Sequence, residues 1–436
     1  MPSLEALEEI KAVVGPKGWR AADAPEVQPW LLDSRGRITG RCALFVQPAD
    51  TGEVSRVLAI CNRNGLAVVP QGGNTSRVGG ATPDAEGTAI LINLARMNTI
   101  RATDRANYTM TVEAGCILQN IQTAAEAADR FFPLSLGAEG SCQIGGNLAT
   151  NAGGINVLRY GNARDLVLGL EVVLPDGEVV SQLTELRKDN TGYDLKNLFI
   201  GSEGTLGLIT AAVLKLFPRP VETATAFCAL ADLDASLTLL EQARAASSDA
   251  LSSFELIPGI AVDFATRHVA GTQAPLADAA DWQVLLEFAG TTPGSGVGAR
   301  MESMLEQAFE AGVITDAMIA QSEQQRADLW RLREAIVEAQ AIEGASIKHD
   351  VSVPVSRVPE FLKRAAEAVE TACPGTRPYA FGHVGDGNIH YNLSQPSALS
   401  AEDFLAREQA LHDAVHDLTH ALGGSFSAEH GVGQIK

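Results

Sequence analysis

Cysteine is sparse and unpaired in this sequence. Six residues, Cys42, Cys61, Cys116, Cys142, Cys228 and Cys373, are scattered over 436 positions with no CxxC among them. That excludes a disulfide scaffold and a cysteine-based zinc module, and points to buried small residues in a reducing compartment, with the cytoplasm as the expected location. Basic residues are outnumbered, 33 Lys and Arg against 53 Asp and Glu, and the formal charge of -20 argues against nucleic acid or anionic lipid as the main partner. No run of 18 apolar residues occurs, so no membrane-spanning helix is expected. The first 20 residues read as an amphipathic helix through Leu4, Leu7, Ile10 and Val13, without the apolar core of an export signal. There is no internal repeat, no low-complexity segment, and no βαβ unit opened by a single GxGxxG, which weighs against a nicotinamide-binding Rossmann domain.

What is present has ordinary globular proportions, 46% hydrophobic and 20% charged, in a chain long enough for two or three domains. From about Cys42 to Pro218, short β-rich runs such as CALFVQP, GLAVVP, TAILINL and LGLEVVLPDGEVV alternate with helical or glycine-rich pieces, and Pro175-Asp176-Gly177 reads as a hairpin turn. After Pro218 and Pro220 the composition shifts to long Ala/Leu/Glu-rich helices, at 233–246, 298–312 and 322–343, with strands such as WQVLLEFAG and SIKHDVSVP between them. The second half therefore reads as helices on a small antiparallel sheet, and the chain as α+β with one domain over 1–218 and another over 219–436.

Three glycine-rich segments carry the first chemical signal. PQGGNTSRVGG, from Pro70 to Gly80, follows the apolar strand GLAVV, and glycines after a strand expose N–H groups to an anion with no Cβ in the way. LGAEGSCQIGGNLATNAGG, at 136–154, and LFIGSEGTLGLIT, at 198–210, add Ser, Thr and Asn to the same pattern. Three such segments in one half are hard to explain as independent turns.

In this order the segments resemble the FAD-binding domain of the vanillyl-alcohol oxidase superfamily, and the remainder, from about Trp30 to the end, resembles its D-lactate, glycolate and D-2-hydroxyglutarate dehydrogenase branch. The run RKDNTGYDLKNLFIGSEGTLG at 187–207 is most similar to D-2-hydroxyglutarate dehydrogenases. The resemblance implies a two-lobed FAD-binding domain and a substrate (cap) domain with an antiparallel sheet and helices. It implies that Pro70, Gln71, Gly72, Gly73, Asn74, Thr75, Gly79 and Gly80 hold the pyrophosphate. Ser141, Gly145, Gly146, Thr150, Asn151, Ala152, Gly153, Glu203, Gly204 and Ile209 would line the rest of the cofactor. Ser76 stands where the family usually has another glycine, and Asn74 where members that tether the flavin carry a histidine, so FAD is expected to be non-covalent.

Histidine is scarce as well, eight residues in all, yet two of them flank one turn. In GHVGDGNIHYN, Asp386-Gly387 is a strong two-residue hairpin signal that sets His383 opposite His390, close enough to share a metal ion, with Asn392 on the same face. The resemblance supplies the rest: His383, His390 and Glu429 match metal ligands, His430 the catalytic base, and Asn392 a substrate contact. Two imidazoles and a carboxylate suit a catalytic divalent ion, zinc for choice. His412, His416 and His420 recur at i, i+4, a spacing that could bind metal, but that face also meets Asp413 and Asp417 and is read as solvated. His268 and His349 have no partner in sequence, and His349 alternates with Ile347, Val351 and Val353 as a strand core residue would.

Arg333 lies next to the apolar stripe Leu329, Leu332 and Ile336, where it is either a carboxylate binder or a surface partner of Glu334 or Glu338. Lys348 is expected on a polar strand face with Ser346, Asp350 and Ser352. The resemblance puts Arg333 and Lys348 at substrate-carboxylate positions, and Val337, one helical turn after Arg333, at a pocket position where D-2-hydroxyglutarate dehydrogenases carry threonine. The expected activity is FAD-dependent oxidation of a D-2-hydroxy acid, D-2-hydroxyglutarate or D-malate ahead of D-lactate, with electrons passing to an electron-transfer flavoprotein or a quinone-linked acceptor. The alternatives are a flavin electron-relay subunit, an H2O2-producing 2-hydroxy acid oxidase, and a flavin-free metallohydrolase. A homodimer is an open expectation. Family members run several tens of residues past EHGVGQIK, so a trimmed C terminus or a more open cofactor edge is expected at Lys436.

Overall fold

A computed structural model describes residues 2–436. The chain divides into two units: one takes the N-terminal part to Gly154, then Tyr160–Arg219 and Glu429–Lys436, and the other takes Ile155–Arg159 and Pro220–Ala428.

Two apolar runs of the first unit become strands buried on both faces, Leu44–Val46 and Ile90–Asn93, and a third, Val68–Gln71, is partly buried. Leu44–Val46, Ile90–Asn93 and Val68–Gln71 lie parallel in a four-stranded sheet completed by Trp19–Arg20. Helix Thr51–Arg63 packs Val54, Val57, Leu58 and Cys61 into the same core, and Asp50 caps it by accepting the Glu53 N–H at 2.8 Å. A five-stranded antiparallel sheet runs in the order Ile100–Asp104, Thr109–Glu113, Leu208–Lys215, Val167–Val173, Val179–Gln182. Its last two strands are joined by the expected turn at Pro175-Asp176-Gly177. The glycine-rich segment leaves the C-terminal end of Val68–Gln71. Its root is fixed by Gln71, whose buried amide donates to the carbonyls of Trp30 and Ala81 at 2.9 Å each.

The second unit is larger in its sheet than the sequence suggested. Eight antiparallel strands include, in spatial order, Ile314–Ile319, Glu222–Leu230, Trp282–Gly290, Leu251–Pro258, Arg377–His383, Asn388–Ser394 and Ser346–Ile347, with Val351–Ser352 also pairing Asn388–Ser394. Alternation along Glu222–Leu230 sends Ala226, Cys228 and Leu230 into one core and Phe227 and Ala229 into another. Helices therefore cover both faces: Ala235–Ser247, Val297–Glu310, Val358–Ala372 and Glu408–Ala421 on one, Gly259–His268 and Glu323–Glu343 on the other.

Two expectations change. The sequence placed all of 219–436 in one domain, whereas Glu429–Lys436 belongs to the first unit. Hydrogen bonds explain this: the Glu203 carboxylate accepts the N–H groups of Val432 and Gly433 at 2.8 Å each, and the Gln434 amide donates to Gly79 and Thr82 carbonyls at 2.8 and 2.7 Å. The strand SIKHDVSVP is also broken, into Ser346–Ile347 and Val351–Ser352, so Lys348 sits in the gap instead of on a continuous polar face. All six cysteines are free and buried; burial lifts Cys61 to about 12 and Cys42 and Cys116 to about 11, which makes these three inert thiols.

Candidate active site

In the first unit, the three glycine-rich segments meet around a cleft of about 270 Å³. Pro70, Gln71, Gly72, Gly73, Asn74, Thr75 and Gly80 line it from the first segment; Gly145, Gly146, Thr150, Ala152 and Gly153 from the second; Glu203, Gly204 and Ile209 from the third. Gly79, Ser141 and Asn151 do not line it. Gly79 takes a left-handed turn with φ of 69° beside Ile38, and Asn151 uses its side-chain oxygen to accept the Arg164 N–H at 2.9 Å. Ser141 acts through its backbone, since a Cβ on Gly73 would stand 2.1 Å from its carbonyl oxygen. That contact requires glycine at 73 and holds the first segment against the second.

Sequence reasoning missed Gln143 and Asn147. Both line the cleft and both are buried, at 6% and 7% exposure, yet Gln143 Oε1 and Asn147 Oδ1 have no hydrogen-bond partner. Orphaned acceptors in a glycine-rimmed cleft call for a ligand with polar hydrogens, which the isoalloxazine and ribityl groups of FAD offer. The residues present therefore fit the cofactor.

Glu429 and His430 line the same cleft. The chain bends here, and His430 Nε2 lies 3.7 Å from Glu429 Oε1.

The second unit carries His383, His390, Asn392, Arg333 and Lys348. The hairpin differs from the expected one. Phe381 pairs with His390 and Tyr379 with Asn392, because Val384–Asp386 forms a 3-10 turn and Gly387 closes it at φ 82°, where a Cβ would meet the Val353 carbonyl at 2.1 Å. The register is thus two residues away from His383 facing His390. An even slip preserves faces, so the two imidazoles still share one side of the sheet, with ring centroids 5.7 Å apart.

A residue absent from the sequence reading organises this face. Glu255, in strand Leu251–Pro258, pairs directly with His383 across the sheet and is 1% exposed. Its Oε1 lies 2.5 Å from His383 Nδ1, and its Oε2 accepts from Arg333 Nε at 2.8 Å. Burial alone would raise the Glu255 pKa, but the charges and hydrogen bonds of His383 and Arg333 outweigh it and hold the group at about 2. A lone acid inside the apolar run SSFELIP was the available clue.

Arg333 is 8% exposed and pairs with Glu255, which removes the reading as a surface partner of Glu334 or Glu338. Its helix, Glu323–Glu343, starts at Ser322, which accepts the Gln325 N–H at 3.2 Å, and turns Leu329, Leu332, Arg333, Ile336 and Gln340 inward. The guanidinium lies 4.9 Å over the Phe381 ring. Seven residues on, Gln340 accepts from the Asn392 amide at 2.9 Å and donates to Ser394 at 3.1 Å, which orients Asn392. Val337 does not follow Arg333 inward and is 43% exposed. Lys348 is half-buried; next to it Asp350 accepts from Asn388 at 3.0 Å and stands 3.9 Å from His390 Nδ1.

Residues 219–436 match the model of the C-terminal domain of FAD linked oxidases, and residues 42–182 that of an FAD binding domain. The chain is 37% identical to D-2-hydroxyglutarate dehydrogenase, mitochondrial, of Arabidopsis thaliana over 98% of its length and 74% of the relative's. It is 39% identical to the Bos taurus protein of the same name, covering 94% and 73%. It is also 38% identical to D-2-hydroxyglutarate dehydrogenase of Xanthomonas citri pv. viticola, covering 89% and 80%. Among solved structures, alkyldihydroxyacetonephosphate synthase (18% identity, TM-score 0.74, 98% and 81% covered) and p-cresol methylhydroxylase (15%, 0.75, 98% and 89%) share the fold. The cytoplasmic expectation is corrected by these relatives: the plant and bovine proteins are named mitochondrial. Reduced, scattered cysteines suit any reducing compartment and do not discriminate between these two.

Proposed function

The chain belongs to the FAD-linked oxidase family, in its D-2-hydroxy acid dehydrogenase branch, and on that premise we propose that it oxidises a D-2-hydroxy dicarboxylate, D-2-hydroxyglutarate or D-malate ahead of D-lactate, to the 2-oxo acid. The observation that carries this reading is Arg333: a buried cation in an acidic protein, tied to Glu255 by Nε alone, so that its terminal nitrogens remain for a bidentate carboxylate. Lys348 supplies a second cation, more positive charge than one carboxylate needs.

His383, His390 and Glu429 would hold a divalent metal, and its chemistry there would be to make the C2 hydroxyl of the acid more acidic. The Glu255–His383 bond supports this assignment. A carboxylate on Nδ1 fixes the tautomer and leaves Nε2 as the ligating atom, the usual arrangement behind a metal-bound histidine. His430 accepts the hydroxyl proton. When bound in the cleft, FAD would supply a two-electron acceptor for the hydride leaving C2. Arg333, Lys348 and Asn392 orient the acid, and Gln340 keeps the Asn392 amide aimed.

FAD is held non-covalently, since Asn74 occupies the tethering position and its amide is spent on the Leu32 carbonyl at 2.8 Å. Electrons then pass to an electron-transfer flavoprotein or a quinone-linked carrier. The test is an anaerobic flavin-bleaching panel of D- and L-2-hydroxy acids, with and without chelator. D-dicarboxylates should bleach fastest and chelator should stop them. Faster bleaching by D-lactate overturns the ranking, and equal bleaching by L-enantiomers overturns the reading.

A further inference from the structure

Three histidines outside this machinery converge in the second unit. His349 is 2% exposed, in the gap between strands Ser346–Ile347 and Val351–Ser352; His412 and His416 lie one turn apart on helix Glu408–Ala421. From sequence the helical pair is expected on a solvated face in preference to a metal site, and His349 in a strand core. Instead, one ligating atom from each ring lies within 4.8 Å of the others.

We propose that His349, His412 and His416 form a second transition-metal site, of the three-imidazole class that takes zinc.

Each of the first two rings is already oriented as a ligand. His349 Nδ1 lies 2.7 Å from the Tyr391 carbonyl oxygen, a group that only accepts, so Nδ1 carries the proton and Nε2 presents its lone pair. That Nε2 faces His412 Nδ1 at 2.9 Å. On the far side of the His412 ring, Nε2 stands 3.6 Å from the Glu408 carboxylate. A carbonyl behind one imidazole and a carboxylate behind the next is the outer-shell pattern that orients metal-binding histidines.

A simple hydrogen bond would use two of these rings. The third, His416, stacks on His412 with centroids 5.5 Å apart and planes 10° from parallel, and approaches His349 with centroids 5.4 Å apart. Histidines at i and i+4 on one helix face, closed by a third from another element, are a recurrent zinc geometry. With Zn–N near 2.0–2.1 Å, two nitrogens on one tetrahedral ion sit roughly 3.3 Å apart, so small ring rotations suffice here. The donor set is all nitrogen, which disfavours magnesium and calcium. An ion here ties helix Glu408–Ala421 to the segment that carries Lys348.

The test is zinc stoichiometry on chelator-treated, FAD-bound protein reloaded with Zn²⁺. The His412→Ala/His416→Ala double variant should bind one equivalent fewer than wild type, and the same difference should persist in a His390→Ala background, where the proposed catalytic metal is removed. Both replaced side chains are half-buried, so flavin absorbance and far-UV circular dichroism should be retained. His416→Gln alone, the milder change, should weaken the same equivalent and abolish the visible bands of Co²⁺ bound there. Equal zinc equivalents in wild type and either variant overturn the proposal.

Discussion

Glu255 and His383 face each other across neighbouring strands and meet at 2.5 Å, so the imidazole is held by a carboxylate that also holds Arg333. One acid thereby positions both a candidate ligand and a candidate substrate cation. Glu255→Gln keeps the shape but removes the charge. It should lower metal retention or kcat/KM by roughly 10- to 100-fold, the range for a lost outer-shell partner. Metal analysis with steady-state kinetics checks this; wild-type values for both would show that Glu255 serves packing alone.

His390→Ala and His430→Ala should separate ligation from proton transfer. The first should remove metal and turnover together while the protein stays yellow, because the cofactor cleft is lined entirely by the first unit. The second should leave metal near normal and slow flavin reduction by roughly 10²- to 10⁴-fold. Stopped-flow reduction and metal content decide it: a His430→Ala protein with full reduction rate, or a His390→Ala protein that keeps its metal, sinks the assignment.

Gly73→Ala places a methyl 2.1 Å from the Ser141 carbonyl and forces the first two glycine segments apart. An overpacking cost of about 1–3 kcal/mol is expected, together with at least tenfold weaker FAD binding. Flavin titration into apoprotein measures it, and unchanged affinity would mean the two segments can separate without disturbing the cleft.

Asp33 is buried and accepts three backbone N–H bonds, from Arg37 and Ile38 at 2.6 Å and Arg35 at 3.0 Å. Burial raises its pKa, but those bonds win and the net shift is downward. A depressed carboxylate stabilises the fold above its ordinary pKa of 3.8 and loses that contribution as pH falls through the lower folded value. Asp33→Asn should therefore cost about 1–2 kcal/mol at pH 7 and progressively less below pH 4. Urea midpoints at pH 7 and pH 3 test the sign; an equal deficit at both would contradict it.

Local patterns were legible in the sequence and distant pairings were not. The glycine segments could be read because each carries its own strand-turn signal, and a hairpin does form around Asp386-Gly387, though through a four-residue connection and not the two-residue turn expected. Its register was not legible, since a 3-10 turn at Val384–Asp386 adds residues that no dipeptide rule counts. Glu255 was invisible as a partner because His383 lies 128 positions away. The helical histidines were read beside Asp413 and Asp417, which do point outward, but the opposite side of the same turn meets His349, 63 positions earlier. Gln143 and Asn147 passed unnoticed because an unsatisfied acceptor is a property of the packed site and not of its sequence.

Glu203 waits for its donors in time as well as in space. The N–H groups it accepts, on Val432 and Gly433, come 229 and 230 residues later. At ribosomal speeds of roughly 5–20 residues per second, that is an interval on the order of 10 to 50 s in which most of the first unit has been made but its last wall has not. The second unit is synthesised almost entirely inside this gap. This wall of the cofactor cleft therefore closes only after the second unit has been synthesised, and flavin held against it reports a chain translated past Gly433.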